Sequence, residues 1–332
     1  MPLIARRPFL SLAAAAALAP AVARAQAPRV RRTVDADVAF PQAGRRDWAA
    51  EVPQIRIALL GGENEADRLV RFENYRALLE ATFGVPVRVM PASDYAGAVQ
   101  AFGARQVEVA SLGSTAYAAA WMDTNGGVEP LVIPEEADGS IDYRAVMVVR
   151  ADSGIMDFAG MKGRSLAWAD VNSSSGYLVP RVALRRQGVD VATYFSRTGF
   201  AGGHEQGVVA VLQKQYDACM TWASGLGDPA EGFSRGNLRA MVQKGMLDMR
   251  DIRIVWTSEP IVTGPITVRA DLPAAAKEDL KQFYLGLPKA HADIYQQITR
   301  GPGTGYREGR QQDFEIFIEM RREEAAARRR RE

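Results

Sequence analysis

From residue 55 onward, short apolar runs alternate with amphipathic periods at a spacing that suits strands linked by helices. Residues 55–60 read as a strand broken by Gly61-Gly62. Leu69, Phe72, Tyr75, Leu79 and Phe83 then recur at three- and four-residue steps, which marks an amphipathic helix that Gly84 ends. Residues 85–90 form the next strand, and Ser93-Asp94 caps a helix carrying Tyr95, Val99 and Phe102. Residues 107–110 are a third strand, and Gly113-Ser114-Thr115 opens a further helix. The β reading continues at 146–149, and after Arg150 the alternation restarts. Strands are expected at 165–169, 193–198 and 216–221, with helices at 177–187 and 205–214, the second turning Val208, Val209, Val211 and Leu212 inward. Residues 252–256 and 266–268 read as strands returning to the first half. A helical tail follows at 274–286, 289–298 and 313–328. Two such βα runs imply parallel sheets with helices on their faces.

A chain of 332 residues, 47% hydrophobic, can fill two lobes of ordinary size, and a formal charge of +2 gives no nucleic-acid footprint. Residues 1–25 hold Arg6, Arg7 and Arg24 but no acid, and their removal takes the charge to −1. Arg6-Arg7, an alanine/leucine-rich run over 12–19 and Ala23-Arg24-Ala25 read as a cleavable export signal, too short for a permanent anchor. Arg6-Arg7-Pro8-Phe9-Leu10 resembles a twin-arginine signal, with Ala5 where a polar residue is usual, and an ordinary Sec signal is the other reading. A soluble periplasmic protein is expected. Residues 26–53 read as an extended arm pinned by Trp48, and residues 321–331 as a solvated, charged helix end. Cys219 is the single cysteine, which rules out an intrachain disulfide, and with two histidines the chain has little for a soft metal site. No cofactor and no metal are expected.

Residues 172–180 place Ser173, Ser174 and Ser175 between a strand and a helix, with Gly176 beside them. A helix start leaves backbone N–H groups unpaired and carries partial positive charge. Serines there add O–H donors without bulk, which makes a socket for a tetrahedral oxyanion. One serine suffices for an N-cap, so a cap with two spare serines is the alternative.

Four segments in order carry a resemblance. Ser93-Asp94-Tyr95-Ala96-Gly97 and Val107 to Tyr117 are similar to first-lobe segments of the periplasmic phosphate/phosphite/phosphonate-binding proteins of ABC transporters. Asp170 to Pro180 is close to their "D-P-x-S-x-S-G-Y-L-x-P" signature. Gly202-Gly203-His204-Glu205 resembles their "G-S-H" turn, with Asp217 in the strand that follows. The resemblance implies an α/β fold of the type II periplasmic binding protein class: two α/β lobes, two crossing strands and the ligand in the cleft. It would put lobe one at about residues 54–148 and 258–328 and lobe two at about 149–257. It also implies that Ser173, Ser174 and Ser175 hold the phosphoryl oxygens, that His204 donates from a second helix start, and that Tyr95 closes from the other lobe. On local pattern alone His204 reads as a helix cap. Ser114 and Thr115 are further ligand candidates at a helix start, and Tyr117 is expected to pack.

Departures from the family pattern bear on the ligand. Members that bind aminoalkylphosphonates carry carboxylates where this chain has Ser224 and Gly264, and an aromatic where it has Leu112. The ammonium site is therefore expected to be missing, unless Asp228 or Glu259 reaches the pocket. The leading expectation is a monomeric solute receptor, not an enzyme, that hands phosphite, phosphate or an alkylphosphonate to an ABC permease. The alternative is a sensory receptor presenting an oxyanion to a membrane histidine kinase, with an arsenic oxyanion and Cys219 as a soft ligand in that role. Ser175, His204 and Asp217 are the residue types of a hydrolase triad, but the chain lacks a Gly-x-Ser-x-Gly elbow and Asp217 falls in an apparent strand.

Overall fold

A computed structural model of the chain describes residues 38–61 and 64–329. The expected export signal, residues 26–37 of the expected arm, Gly62 and Glu63 lie outside the described residues. The first half opens with β1 (Ile55–Leu59), α1 (Glu65–Phe83), β2 (Val87–Pro91), α2 (Tyr95–Gly103), β3 (Val109–Ser111), α3 (Ser114–Asp123) and β4 (Val128–Glu135). The chain then crosses into β5 (Asp142–Arg150), β6 (Ser165–Trp168), α4 (Val179–Arg186), α5 (Val191–Tyr194), β7 (Arg197–Phe200), α6 (His204–Leu212), β8 (Ala218–Ala223), α7 (Asn237–Gln243), β9 (Ile252–Thr257) and β10 (Ile261–Val262). It crosses back into β11 (Ile266–Arg269), α8 (Ala274–Ala290), α9 (Ala292–Thr299), β12 (Gly305–Glu308) and α10 (Glu315–Arg329).

One sheet runs β12-β4-β11-β3-β1-β2, and the other runs β10-β5-β8-β6-β7 with β9 also on β5. Only β1, β2 and β3 in the first, and β6, β7 and β8 in the second, pair in parallel. The remaining pairs are antiparallel, so both sheets are mixed, because the strands that cross between them meet their neighbours head to tail. Strand alternation sorts the core: Ile55, Ile57 and Leu59 face one cluster and Ala58 the other. Met147 and Val149 likewise part from Val146 and Val148 in the second sheet. Trp48 does pin the segment before β1: it is buried against Phe83 and its indole N–H donates to Asp279 at 2.7 Å.

Several expectations are corrected. β9 pairs with β5 in the second sheet, so of the two strands expected to return only β11 does so. The whole of β5 from Asp142, and β10, pair within the second sheet, where limits at 148 and 258 were expected. Thr193 and Tyr194 are helical because Asp190 caps that turn by accepting the Ala192 N–H at 3.1 Å, and Tyr194 stacks on Phe158. Leu69 is exposed although it falls on the expected helical period. The helix end at 321–329 is only partly solvated: buried Glu324 takes Arg181 at 3.1 Å, and Arg321 donates to the Asn172 side chain at 2.9 Å. Among the described residues no helix is long and apolar enough to cross a membrane.

Candidate functional site

The serine turn is built by caps that release some of its hydroxyls. After β6, Asp170 accepts the Asn172 N–H at 2.7 Å. Ser173 Oγ accepts the Gly176 N–H at 2.9 Å, so Ser173 is the N-cap. Residues Ser174–Leu178 wind as one wide π-turn that runs into α4, with Pro180 in the first turn of α4. Ser173, Ser174 and Ser175 are all buried and line one cavity. Gly176 is required by space: a Cβ there would lie 2.4 Å from the Ala169 Cβ and 2.8 Å from Ser173 Oγ.

His204 is the first residue of α6, with Gly203 at the cap position, so its ring is not a helix cap. Its Nε2 lies 3.1 Å from Ser173 Oγ. Burial pushes the imidazole down to about 4, which leaves it neutral at neutral pH. The unfolded ring takes its proton near 6.5, so stability is complete above that pH and falls as pH drops through the window to about 4. The fall is at most about 1.4 kcal/mol per pH unit. His204→Gln is expected to flatten this acid-side loss of Tm; an unchanged slope would show that other groups carry it.

The opposite wall comes from the first half of the chain and from β5. Asp94 caps α2 by accepting the Gly97 N–H at 2.8 Å, which sets Tyr95 on the first turn with its hydroxyl toward Ser173. Tyr143 on β5 faces Ser174 and Ser175. Burial raises both phenols, so they stay protonated and can donate. The start of α3 closes the arrangement: the Thr115 N–H donates to Ser174 Oγ at 2.9 Å. Ser114 and Thr115 contribute backbone rather than side chain. The Ser114 hydroxyl donates to the Val262 carbonyl at 2.5 Å, Thr115 Oγ1 is buried away, and neither residue lines the cavity. Tyr117 packs on Phe314.

The cavity measures about 250 Å³. Among the described residues it is lined by Arg68, Arg71, Arg235 and Arg300 and by no carboxylate. Leu112 and Gly264 line it as expected, and a Cβ at Gly264 would lie 1.9 Å from the Leu112 carbonyl oxygen, so no acid fits there on this backbone. Ser224 does not line it; its hydroxyl is held 2.8 Å from Ser234 Oγ. Asp228 is exposed and caps the next turn through the Ala230 N–H, and Glu259 is exposed, so neither reaches the cavity. Cys219 is sealed in the core, where burial raises its thiol, and cannot serve as a soft ligand there. Asp217 accepts the N–H and O–H of Ser165 at 2.8 and 2.7 Å, which takes it out of any triad with His204. Arg235 pairs with buried Glu136, joining the loop before α7 to the end of β4. Sequence reasoning missed Tyr143 and Thr263. The second lies next to Gly264, and its Oγ1 is buried with no hydrogen-bond partner among the described residues.

A family profile described as "ABC transporter, phosphonate, periplasmic substrate-binding protein" matches residues 58–314. The phosphate-import protein PhnD of Mycolicibacterium smegmatis is 30% identical over 246 residues, 69% of this chain and 70% of that protein. The fold is similar to PhnD1 of Prochlorococcus marinus, solved with methylphosphonate, at TM-score 0.68, 18% identity and coverage of 82% of this chain and 98% of that one. It is also similar to a binding-protein component of a phosphonate transporter from Pseudomonas aeruginosa, at TM-score 0.67, 22% identity and coverage of 81% and 85%. Both show the expected two-sheet α/β fold of periplasmic binding proteins. With a profile spanning most of its length, the chain belongs to the periplasmic substrate-binding proteins of phosphonate ABC transporters.

Proposed function

We propose that this chain captures a small phosphorus oxyanion, phosphite, phosphate or an alkylphosphonate, in the periplasm and delivers it as a monomer to an ABC permease. One observation carries the reading. Three serine hydroxyls at a helix start, and the N-terminus of α3 facing them, converge on a cavity whose described lining holds cations and no carboxylate. Neutral donors suit such a ligand, because each hydrogen bond to a charged group contributes roughly 1.5–3 kcal/mol and leaves no lone cation buried when the cleft is empty. Ser173, Ser174, Ser175, His204, Tyr95 and Tyr143 hold the anion in this reading: Ser174 Oγ accepts the Thr115 N–H and its own O–H donates to a phosphoryl oxygen. The two sheets act as lobes that close on the ligand about the β4–β5 and β10–β11 crossings.

A thermal-shift panel of phosphate, phosphite, methylphosphonate and sulfate tests the reading. A phosphorus oxyanion at a hundred times its Kd is expected to add about 2.7 kcal/mol of stability. A response to sulfate alone, or to none of them, would count against it. Ser174→Ala is expected to weaken anion binding by roughly 1–3 kcal/mol. Normal binding by that variant, with a loss of several degrees in Tm, would make Ser174 only a cap for α3.

A further inference from the structure

The β10–β11 crossing brings one more hydroxyl to the cavity. Thr263 follows Ile261 and Val262 of β10 and precedes Gly264. It lines the cavity, and its Oγ1 is buried with no hydrogen-bond partner among the described residues. A buried threonine or serine ordinarily finds a carbonyl, an N–H or another side chain nearby. Others close by do so. Ser258, between β9 and β10, donates to the Glu259 carbonyl at 2.6 Å, and Thr221 Oγ1 on β8 accepts the Asn237 side-chain N–H at 3.0 Å. A buried hydroxyl left unpaired costs free energy, so the one on Thr263 calls for a partner that the fold does not supply.

Two independent sets of contacts put Thr263 beside the serine turn. The first is strand register. β10 pairs with β5 so that Ile261 is opposite Tyr143 and Val262 is opposite Asp142. The Thr263 N–H donates to the Ile141 carbonyl at 2.6 Å, which carries that register one step further. Opposed residues share a face of the sheet, as do residues two apart on one strand. Thr263 therefore lies on the face of Tyr143, whose phenol looks toward Ser174 and Ser175. The second set ties both flanks of Thr263 to the start of α3. The Val262 carbonyl accepts the Ser114 hydroxyl at 2.5 Å, and a Cβ added to Gly264 would lie 2.5 Å from the Gly113 Cα. A Cβ on Gly113 would in turn lie 3.6 Å from Ser174 Oγ.

We infer that Thr263 is a further anion-binding residue, which hydrogen-bonds the captured phosphorus oxyanion through its hydroxyl from the β10–β11 crossing. The inference rests on the oxyanion reading above and adds a group to it. A hydroxyl can donate to a phosphoryl oxygen or accept from a protonated one, so it serves the anion in either protonation state. With no partner in the protein, this hydroxyl has no existing bond for the ligand to break.

Titration calorimetry with phosphate, phosphite and methylphosphonate, beside thermal unfolding without ligand, tests it. Thr263→Val keeps the branching of the side chain and removes the hydroxyl. It is expected to weaken the tightest-binding of the three anions at least about fivefold, while Tm without ligand stays level or rises because an unpaired buried hydroxyl is gone. Thr263→Ser keeps the hydroxyl and is expected to lose less than about fivefold. A smaller loss in the valine variant would overturn the assignment. So would an equal loss in the serine variant, which would trace the effect to the methyl group. A drop of several degrees in the Tm of the valine variant would also overturn it, by marking the hydroxyl as structural. If the parent protein binds none of the three anions, the oxyanion reading itself falls and takes this assignment with it.

Discussion

Arg235→Ala is expected to lower the stability of the protein by roughly 3–5 kcal/mol, the cost of leaving one partner of a buried ion pair alone. Arg235 is 4% exposed and Glu136 is fully buried, and the two are paired. Burial by itself raises the Glu136 carboxyl, and Arg235 opposes that rise. Without the guanidinium the carboxyl must either stay charged in the interior or take up a proton, and both cost free energy. The loss in Tm should be on the order of 10 °C for a domain of this size. Arg235 also donates toward the Thr299 carbonyl at 3.5 Å and lines the cavity, so the pair ties the two halves together beside the ligand site. The double variant Arg235→Met/Glu136→Gln separates the causes: removing both charges should restore most of the lost stability. A single variant within about 1 kcal/mol of the parent in denaturant unfolding would mean that the pair is solvated in solution.

Aminoethylphosphonate is expected to bind at least about a hundredfold more weakly than methylphosphonate. Drawing an ammonium into a closed cleft costs several kcal/mol unless a carboxylate replaces its water, and a hundredfold corresponds to about 2.7 kcal/mol. The described lining offers no such carboxylate. Gly264 cannot be turned into an acid without meeting the Leu112 carbonyl, so this preference is built into the backbone. Calorimetry with the two ligands decides the point. Tighter binding of the amine would show that an acid reaches the pocket, and Asp228 and Glu259, both exposed in this structure, would then be the first to substitute.

The two βα runs and the serine turn were legible because they rest on local rules. Apolar periods of two and of three to four residues announced β1 to β3, α1 to α3, β6, α6 and β8. That a serine caps this helix start was legible from the run's place before it, and which one was decided by the structure, where Ser173 accepts the Gly176 N–H. β4 escaped notice because Pro130 and Pro134 argue against a strand with neighbours on both sides, yet it lies between β11 and β12. A register shift opposite Pro130, between Ile266 and Thr267, accommodates it. The turn at 191–194 was misread because Val191, Thr193 and Tyr194 favour strands, and the Asp190 cap outweighed that preference.

What the chain determined locally was the serine turn itself: hydroxyls, a helix start and a glycine within a few residues of one another. What only the tertiary structure decided was everything that meets that turn from elsewhere. Tyr143 on β5 and the Thr115 N–H come from segments remote in the chain, and no local period marks them. The same holds for the misassigned positions: Ser224 turns toward its own loop and Asp228 toward its own helix turn, because short-range hydrogen bonds there compete with the cleft. Side-chain direction at a site between two sheets depends on strand register and on how the crossing strands pair, and those are set by packing across the whole chain.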